Sequence, residues 1–260
     1  MTVHSLVSRP WLALTVALFG LVPAASANAY SHTEPIQHEG AFSADGVVRI
    51  SNVNGDITVR AWDREEIRVE GKKSAQTDEE LRAIELTMNV SNQRAEIRVK
   101  LPKRKGWVRR DTIRAKVELT LYVPRTVTLD ELETVNSTIR LDGLAGTVRA
   151  ETVNGRIEAE GLGGNADLES VNGRIVAKFA QVRAGQKIEL ESVNGSLEVL
   201  LPEDAGAKLD AELVNGRVEC DFPLAMVKSR GKRSLSGTIG DGRAELDLET
   251  VNGQIRVRRQ

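Results

Sequence analysis

The residues with the greatest chemical reach are carboxylates that return at a fixed distance from a series of Asn. Three positions before those Asn stand Glu133, Glu151, Glu169, Glu191, Glu212 and Glu249. Five before stand Glu131, Asp167, Glu189, Asp210 and Asp247, with Arg149 interrupting the series. Carboxylates set side by side can share a hard cation such as Ca²⁺, which takes several carboxylate oxygens. They can flank a glycosidic bond as an acid–base pair, or they can meet a basic partner. Glu151, Asp167, Glu169, Glu189, Glu191, Asp210 and Glu212 are therefore the candidate site, with surface Ca²⁺ as the cofactor considered. A second cluster is basic: Lys103, Arg104, Lys105, Arg109 and Arg110 surround Trp107, flanked by Lys100, Arg114 and Lys116. Such a segment suits phosphate, anionic lipid or an acidic glycan, and it also suits the acidic strip of this same chain. No catalytic residue is assigned. The three His fall at 4, 32 and 38, away from the carboxylate series, and the spacing of His32 and His38 matches no dedicated metal site.

The carboxylates are positioned by a repeated phrase. It reads Glu151-Thr152-Val153-Asn154-Gly155, then Glu169-Ser170-Val171-Asn172-Gly173, Glu191-Ser192-Val193-Asn194-Gly195 and Glu249-Thr250-Val251-Asn252-Gly253. Variants surround Asn54, Asn136 and Asn215. Self-similarity at a period of about 20 residues marks a solenoid. Three after each Asn stand Ile57, Ile139, Ile157, Ile175, Leu197, Val218 and Ile255, and four before stand Ile50, Leu132, Ala150, Leu168, Leu190, Ala211 and Leu248. Apolar columns at a period of two belong to strands with one buried face. The copies are too short to hold a crossover helix, so they are expected to stack in parallel, coil on coil, about 4.8 Å apart. The expected fold is all-β, a single-stranded parallel β-solenoid with an N-terminal hairpin region and one short helix.

Within the phrase, Gly is expected to supply a positive φ at the corner between strands, and the Asn side chains to bond along the axis to their copies. Strict alternation would point the Val before each Asn outward beside Glu. An uncovered apolar stripe invites association, so a bend that turns Val inward is the favoured expectation.

Along the chain, residues 1–29 read as a secretory signal peptide, with an apolar run from Trp11 to Val22 and Ala-x-Ala sites allowing cleavage after Ala27 or Ala29. Residues 30–46 are expected to be a flexible mature N-terminus, and 47–260 one domain. Its part 47–124 holds strands, a helix near Thr77–Ile84 and the basic hairpin. Its part 125–260 holds the repeats, with a turn-rich coil over 222–242. The lone Cys220 lies in an apolar column and is expected to act as a buried hydrophobe. No membrane segment is expected in the mature chain. The near-neutral balance of 36 basic and 37 acidic residues gives no reason to expect nucleic acid, and 3% aromatics argue against a stacking surface.

The repeated Thr/Ser-Val-Asn-Gly phrase, the Tyr122-Val123-Pro124 step and the closing run from Leu235-Ser236-Gly237 through Asp241-Gly242 to Glu249–Val257 resemble the bacterial putative-adhesin family of unknown function. That family is similar to adhesin head domains of β-solenoid type. The resemblance covers 47–260 and implies an exported solenoid without established catalytic residues. The function expected is a non-enzymatic, adhesin-like scaffold or recognition protein of the cell envelope, periplasmic or extracellular, with an envelope protein or glycan as partner. The alternatives are a periplasmic envelope-stress or signalling accessory and a β-helical polysaccharide-active enzyme, the latter disfavoured because the charges fall in columns rather than converging in a cleft.

Overall fold

The computed structural model describes residues 30–102, 114–229 and 231–260. In chain order the first elements are β1 (His32–Ala41), β2 (Val47–Ser51), β3 (Ile57–Trp62), β4 (Glu66–Ala75), α1 (Asp78–Arg82), β5 (Glu85–Val90), β6 (Arg94–Lys100) and β7 (Ala115–Pro124). The repeats then give β8 (Thr128–Thr134), β9 (Ile139–Asp142), β10 (Val148–Asn154), β11 (Ile157–Leu162), β12 (Ala166–Asn172), β13 (Ile175–Phe179), β14 (Lys187–Asn194) and β15 (Leu197–Leu201). The chain closes with β16 (Ala207–Cys220), β17 (Leu224–Ser229), β18 (Ser234–Ile239) and β19 (Ala244–Arg259).

Each phrase makes a corner between two strands, and the strands of successive coils pair in register. Glu151 lies beside Glu169, Glu169 beside Glu191, and Ile157 beside Ile175. The strands before the corners form a first layer, in the order β5-β6-β2-β8-β10-β12-β14-β19-β16-β18-β17. Those after the corners form a second, β1-β4-β7-β3-β9-β11-β13-β15-β19-β16. The two layers share one hydrophobic core, in which Ile57, Ile157, Ile175, Leu168 and Leu190 are fully buried.

The architecture is all-β and solenoid-like, but the sheet is mixed where a parallel-only one was expected. Antiparallel pairs close both ends: β5 on β6, and β1 and β4 on β7, at one end, with the β17–β18 hairpin on β16 at the other. Capping strands of this kind cover the open edges that a parallel stack leaves. Two expectations fall with this. Residues 30–46 hold β1, paired to β4 along its whole length, instead of a flexible tail. Residues 222–242 form the β17–β18 hairpin instead of a further coil. The expected short helix is present as α1, with the Thr77 side chain accepting from Glu80 N–H as its cap.

Coil order also departs from chain order. The coil 244–259 is last in sequence, yet it lies between 187–201 and 207–220. A residue substitution marks the reason. Thr250 donates to Gly195 O at 3.1 Å, whereas β16 has Leu213 in that column and offers no hydroxyl to the corner below it.

Candidate functional site

The corners are built by three columns. The hydroxyl residues point inward: Thr152, Ser170, Ser192 and Thr250 are buried, and they donate to the corner carbonyls of Ser137, Gly155, Gly173 and Gly195. The Asn side chains form one continuous ladder. Asn136 donates to Asn54 at 2.9 Å, Asn154 to Asn136 at 3.1 Å, Asn172 to Asn154 at 3.0 Å and Asn194 to Asn172 at 3.0 Å. Asn252 then donates to Asn194, and Asn215 to Asn252, both at 2.8 Å. The expected ladder is thus present, with its last two rungs in the exchanged order.

Gly does a different job from the one expected. Among the phrase glycines only Gly55 and Gly216 have positive φ. At Gly155, Gly173, Gly195 and Gly253 a Cβ would overlap the carbonyl oxygen of the corner below, on Ser137, Gly155, Gly173 and Gly195 respectively. Glycine is needed there because backbone approaches backbone.

With hydroxyls inside, strict alternation holds and Val faces out, against the expected bend. Val171 is 37% exposed and Val214 54%. The hydroxyl wins the inward place because it can satisfy a buried carbonyl that Val cannot. The Val and Glu columns together line a shallow groove of ≈ 360 Å³ that runs from Glu151 and Thr152 across to Glu212 and Val214.

The glutamates three before each Asn stack in the order 133, 151, 169, 191, 249, 212. Among the described residues none of these six forms an ion pair. In the outer column Arg149 holds Asp167 at 2.9 Å, and Ser236 donates to Asp210 at 3.0 Å. Partial burial, then mutual repulsion, pushes several carboxyls above their ordinary range. Glu133 feels Glu131 and Glu151, Glu169 feels Asp167 and Glu191, Glu191 feels Glu249 and Asp167, and Asp247 feels Glu189 and Asp210. Neighbouring charges at strand spacing repel by roughly 0.9 kcal/mol in bulk water before screening.

The opposite face alternates charge. Arg140 pairs with Asp56 at 2.7 Å and with Glu158 at 3.4 Å, Arg174 pairs with Glu198, Arg256 with Glu219 at 3.4 Å, and Arg258 with Asp221 at 3.1 Å.

Residues 131–258 match the model of the Toastrack DUF4097 family. Over just under half of its length the chain is thus similar to the Toastrack family. Its fold is similar to that of a putative cell adhesion protein from Clostridium sporogenes ATCC 15579, with TM-score 0.53 and 14% identity over 87% of this chain and 100% of that one. A putative adhesin from Bacteroides fragilis NCTC 9343 is similar at TM-score 0.35 and 10% identity, over 86% and 97%. No curated protein matches the sequence.

All seven acidic candidates, Glu151, Asp167, Glu169, Glu189, Glu191, Asp210 and Glu212, lie on the one outward face of the first layer. They form columns. Among the described residues no group of three or more His, Cys, Asp or Glu side chains is arranged to hold a metal ion. Lys103, Arg104, Lys105, Trp107, Arg109 and Arg110 lie outside the described residues. Of their flanks, Lys116 pairs with Glu118 at 2.9 Å and lies over the Tyr30 ring, while Lys100 faces Glu85 at 3.9 Å. Cys220 is half-buried, and burial raises its thiol pKa. No described helix is long and apolar enough to cross a membrane. Sequence reasoning missed a second set of corners, where Gly164 meets the Gly146 carbonyl and the buried Gln186 side chain donates to Gly164 O. Gly recurring just before the first-layer strands was the available signal.

Proposed function

We propose that this protein is an exported, non-enzymatic, adhesin-like protein of the cell envelope whose working part is the Glu–Val face, a recognition or scaffold surface for a basic partner with apolar side chains. The observation that carries the reading is the row of six stacked glutamates, none of them in an ion pair among the described residues, beside a line of exposed Val. A surface that served solubility alone would lower its energy by interleaving Arg, as the second layer does. A basic, part-apolar partner would relieve the repulsion and cover the valines together. The segment Lys103, Arg104, Lys105, Trp107, Arg109, Arg110 has that chemistry, so a second copy of the chain is one such partner. Export is supported by the signal-like residues 1–29.

The test is binding of a synthetic peptide spanning residues 103–110 to the purified protein and to its Glu169→Gln/Glu191→Gln variant, with Ca²⁺, Mg²⁺ and salt-matched NaCl titrated separately. Binding that weakens with NaCl and in the variant supports the reading. A Ca²⁺ response above the Mg²⁺ and NaCl controls, without peptide binding, assigns the face to a cation instead. Response to neither leaves it as solvated surface and overturns the proposal.

A further inference from the structure

Six rungs of the Asn ladder are followed by Gly, at Asn54, Asn154, Asn172, Asn194, Asn215 and Asn252. An Asn-Gly step has intrinsic chemistry. The Gly amide nitrogen, once deprotonated, can attack the Asn Cγ. The Cγ–N bond then breaks, ammonia leaves, and a cyclic imide remains. Water opens the imide at either carbonyl, giving Asp or isoaspartate. The reaction consumes one water and releases one ammonia, and needs no other reactant. It does need a free side-chain amide, an unencumbered Gly nitrogen and room to bend the backbone.

The interior rungs are restrained on the side chain, and at two of them on the Gly nitrogen as well. Asn154, Asn172, Asn194 and Asn252 each donate to one neighbour and accept from the other. The nitrogens of Gly173 and Gly195 are held by Asn194 O at 3.1 Å and Asn252 O at 3.0 Å. Gly155, Gly173, Gly195 and Gly253 are half-buried between a corner on each side, whereas Gly216, which approaches Gly253 O just as closely, has a corner on one side alone. At the far end, Asn54 accepts from Asn136 and donates to Ala115 O at 3.2 Å, and Gly55 N–H donates to Ser137 Oγ at 2.7 Å.

Asn215 differs. It donates to Asn252, but it is the terminal rung, and among the described residues no side chain donates to its Oδ1. Gly216 is the one exposed phrase glycine, it carries φ of 143°, and no coil stacks beyond it. The β18 strand pairs with β16 over Ala207–Glu212, and the turn before it receives Leu213 N–H at Arg233 O and Val218 N–H at Lys232 O, so among the described residues the Asn215-Gly216 step between them is left without a backbone bond on that side.

We infer that Asn215-Gly216 is a built-in site of spontaneous deamidation, and that its conversion loosens the outer coil. An Asp at 215 would set a carboxylate oxygen where the amide N–H of Asn215 now meets Asn252 Oδ1. An isoaspartate adds a backbone atom and shifts the register of 216–220 against β19. The 207–220 coil pairs on its inner side with β19 alone, so this corner controls how firmly the end of the solenoid is held.

The experiment ages the folded, full-length exported chain at mildly alkaline pH and maps amide-to-acid conversion by peptide mass spectrometry, with a denatured sample as control. Asn215 is expected to convert at least about tenfold faster than Asn154, Asn172 and Asn194, the scale set by one or two hydrogen bonds. In the denatured control all six should convert at similar rates. In parallel, the Asn215→Asp variant should be cleaved by trypsin at Arg217 several-fold faster than the parent, while Asn172→Asp, on an interior rung, should not speed that cleavage. Equal rates among the folded rungs, or an intact Asn215 beside a converting denatured control, overturns the site. Unchanged cleavage of Asn215→Asp overturns the loosening.

Discussion

The two outward faces of the solenoid are made by the same coils, yet they treat charge in opposite ways. Before the corners, one column is Glu on six successive coils, and the column beside it keeps the same sign except at Arg149. After the corners, Arg140, Glu158, Arg174, Glu198 and Arg256 interleave and pair. A repeating fold imposes stacking on both faces, so stacking alone does not explain a single sign on one of them. The second face shows what electrostatic relief looks like on this scaffold. The first face forgoes it.

The largest expected effect lies in the core that both faces share. Ile157→Asp places an unpaired carboxylate at a fully buried position and should cost roughly 3 kcal/mol or more. Its neighbour Arg156, outward and facing Glu158 at 3.9 Å, should cost under about 1 kcal/mol when changed to Asp. Thermal melts that fail to separate the two would show that the faces are not distinct from the interior. Next comes Gly173→Ala at the corner between faces. Its φ is not the difficulty; its Cβ would overlap Gly155 O, for an expected loss of about 1–3 kcal/mol. A neutral result would mean that the coils can separate at the corner.

The pH response sharpens the contrast itself. On the acidic face the folded-state pKa values of Glu133, Glu169, Glu191 and Asp247 are raised. The folded form therefore binds protons more tightly than the unfolded chain. That stabilisation is present at low pH and is lost as pH rises through the raised values. At Asp56 burial works upward, but hydrogen bonds from Arg140 and Thr138 N–H and the Arg140 charge prevail, and the pKa is lowered. Its contribution is present above the unfolded value and is lost as pH falls through the folded one. Glu169→Gln/Glu191→Gln should raise Tm by up to about 2–4 °C near neutrality and shrink the difference between melts at about pH 5 and pH 7.5. Asp56→Asn should lower Tm near neutrality and flatten the loss in stronger acid. Matching responses would erase the distinction between the faces.

The smallest effect on stability is expected at the Val column. Val171→Cys in a Cys220→Ala background should melt close to its Cys220→Ala parent and react rapidly with a thiol reagent in the folded state, as its 37% exposure requires. Protection of that thiol in the monomer would return Val to the interior.

Much of this was legible in the sequence because period and column are local properties. The inward Ile157 and Leu168 columns, the Asn ladder and the acidic columns all follow from the spacing of one phrase. The direction of Val was misjudged because the apolar stripe was weighed without asking which groups would satisfy the corner carbonyls. Thr152 and Ser170 do so from inside, and their inward turn sends Val out. The order of coils was not legible from period, since β16 and β19 both carry the phrase. Leu213 in the hydroxyl column was the signal that β16 belongs at the end. The pairing of β1 with β4 was hidden because most of its residues alternate between half-exposed and exposed, with Ile36 alone buried.

The late placement of the 244–259 coil bears on how the molecule is made. Strands emerging in order could stack through residue 201, but the next coil has nothing to dock on until the chain has doubled back through the hairpin and supplied its missing neighbour. The last 60 or so residues thus close as one long-range event, which is slow compared with local pairing. Until then the edges of β14 and β15 stay open, so newly made chains should depend most on protection from one another in that interval.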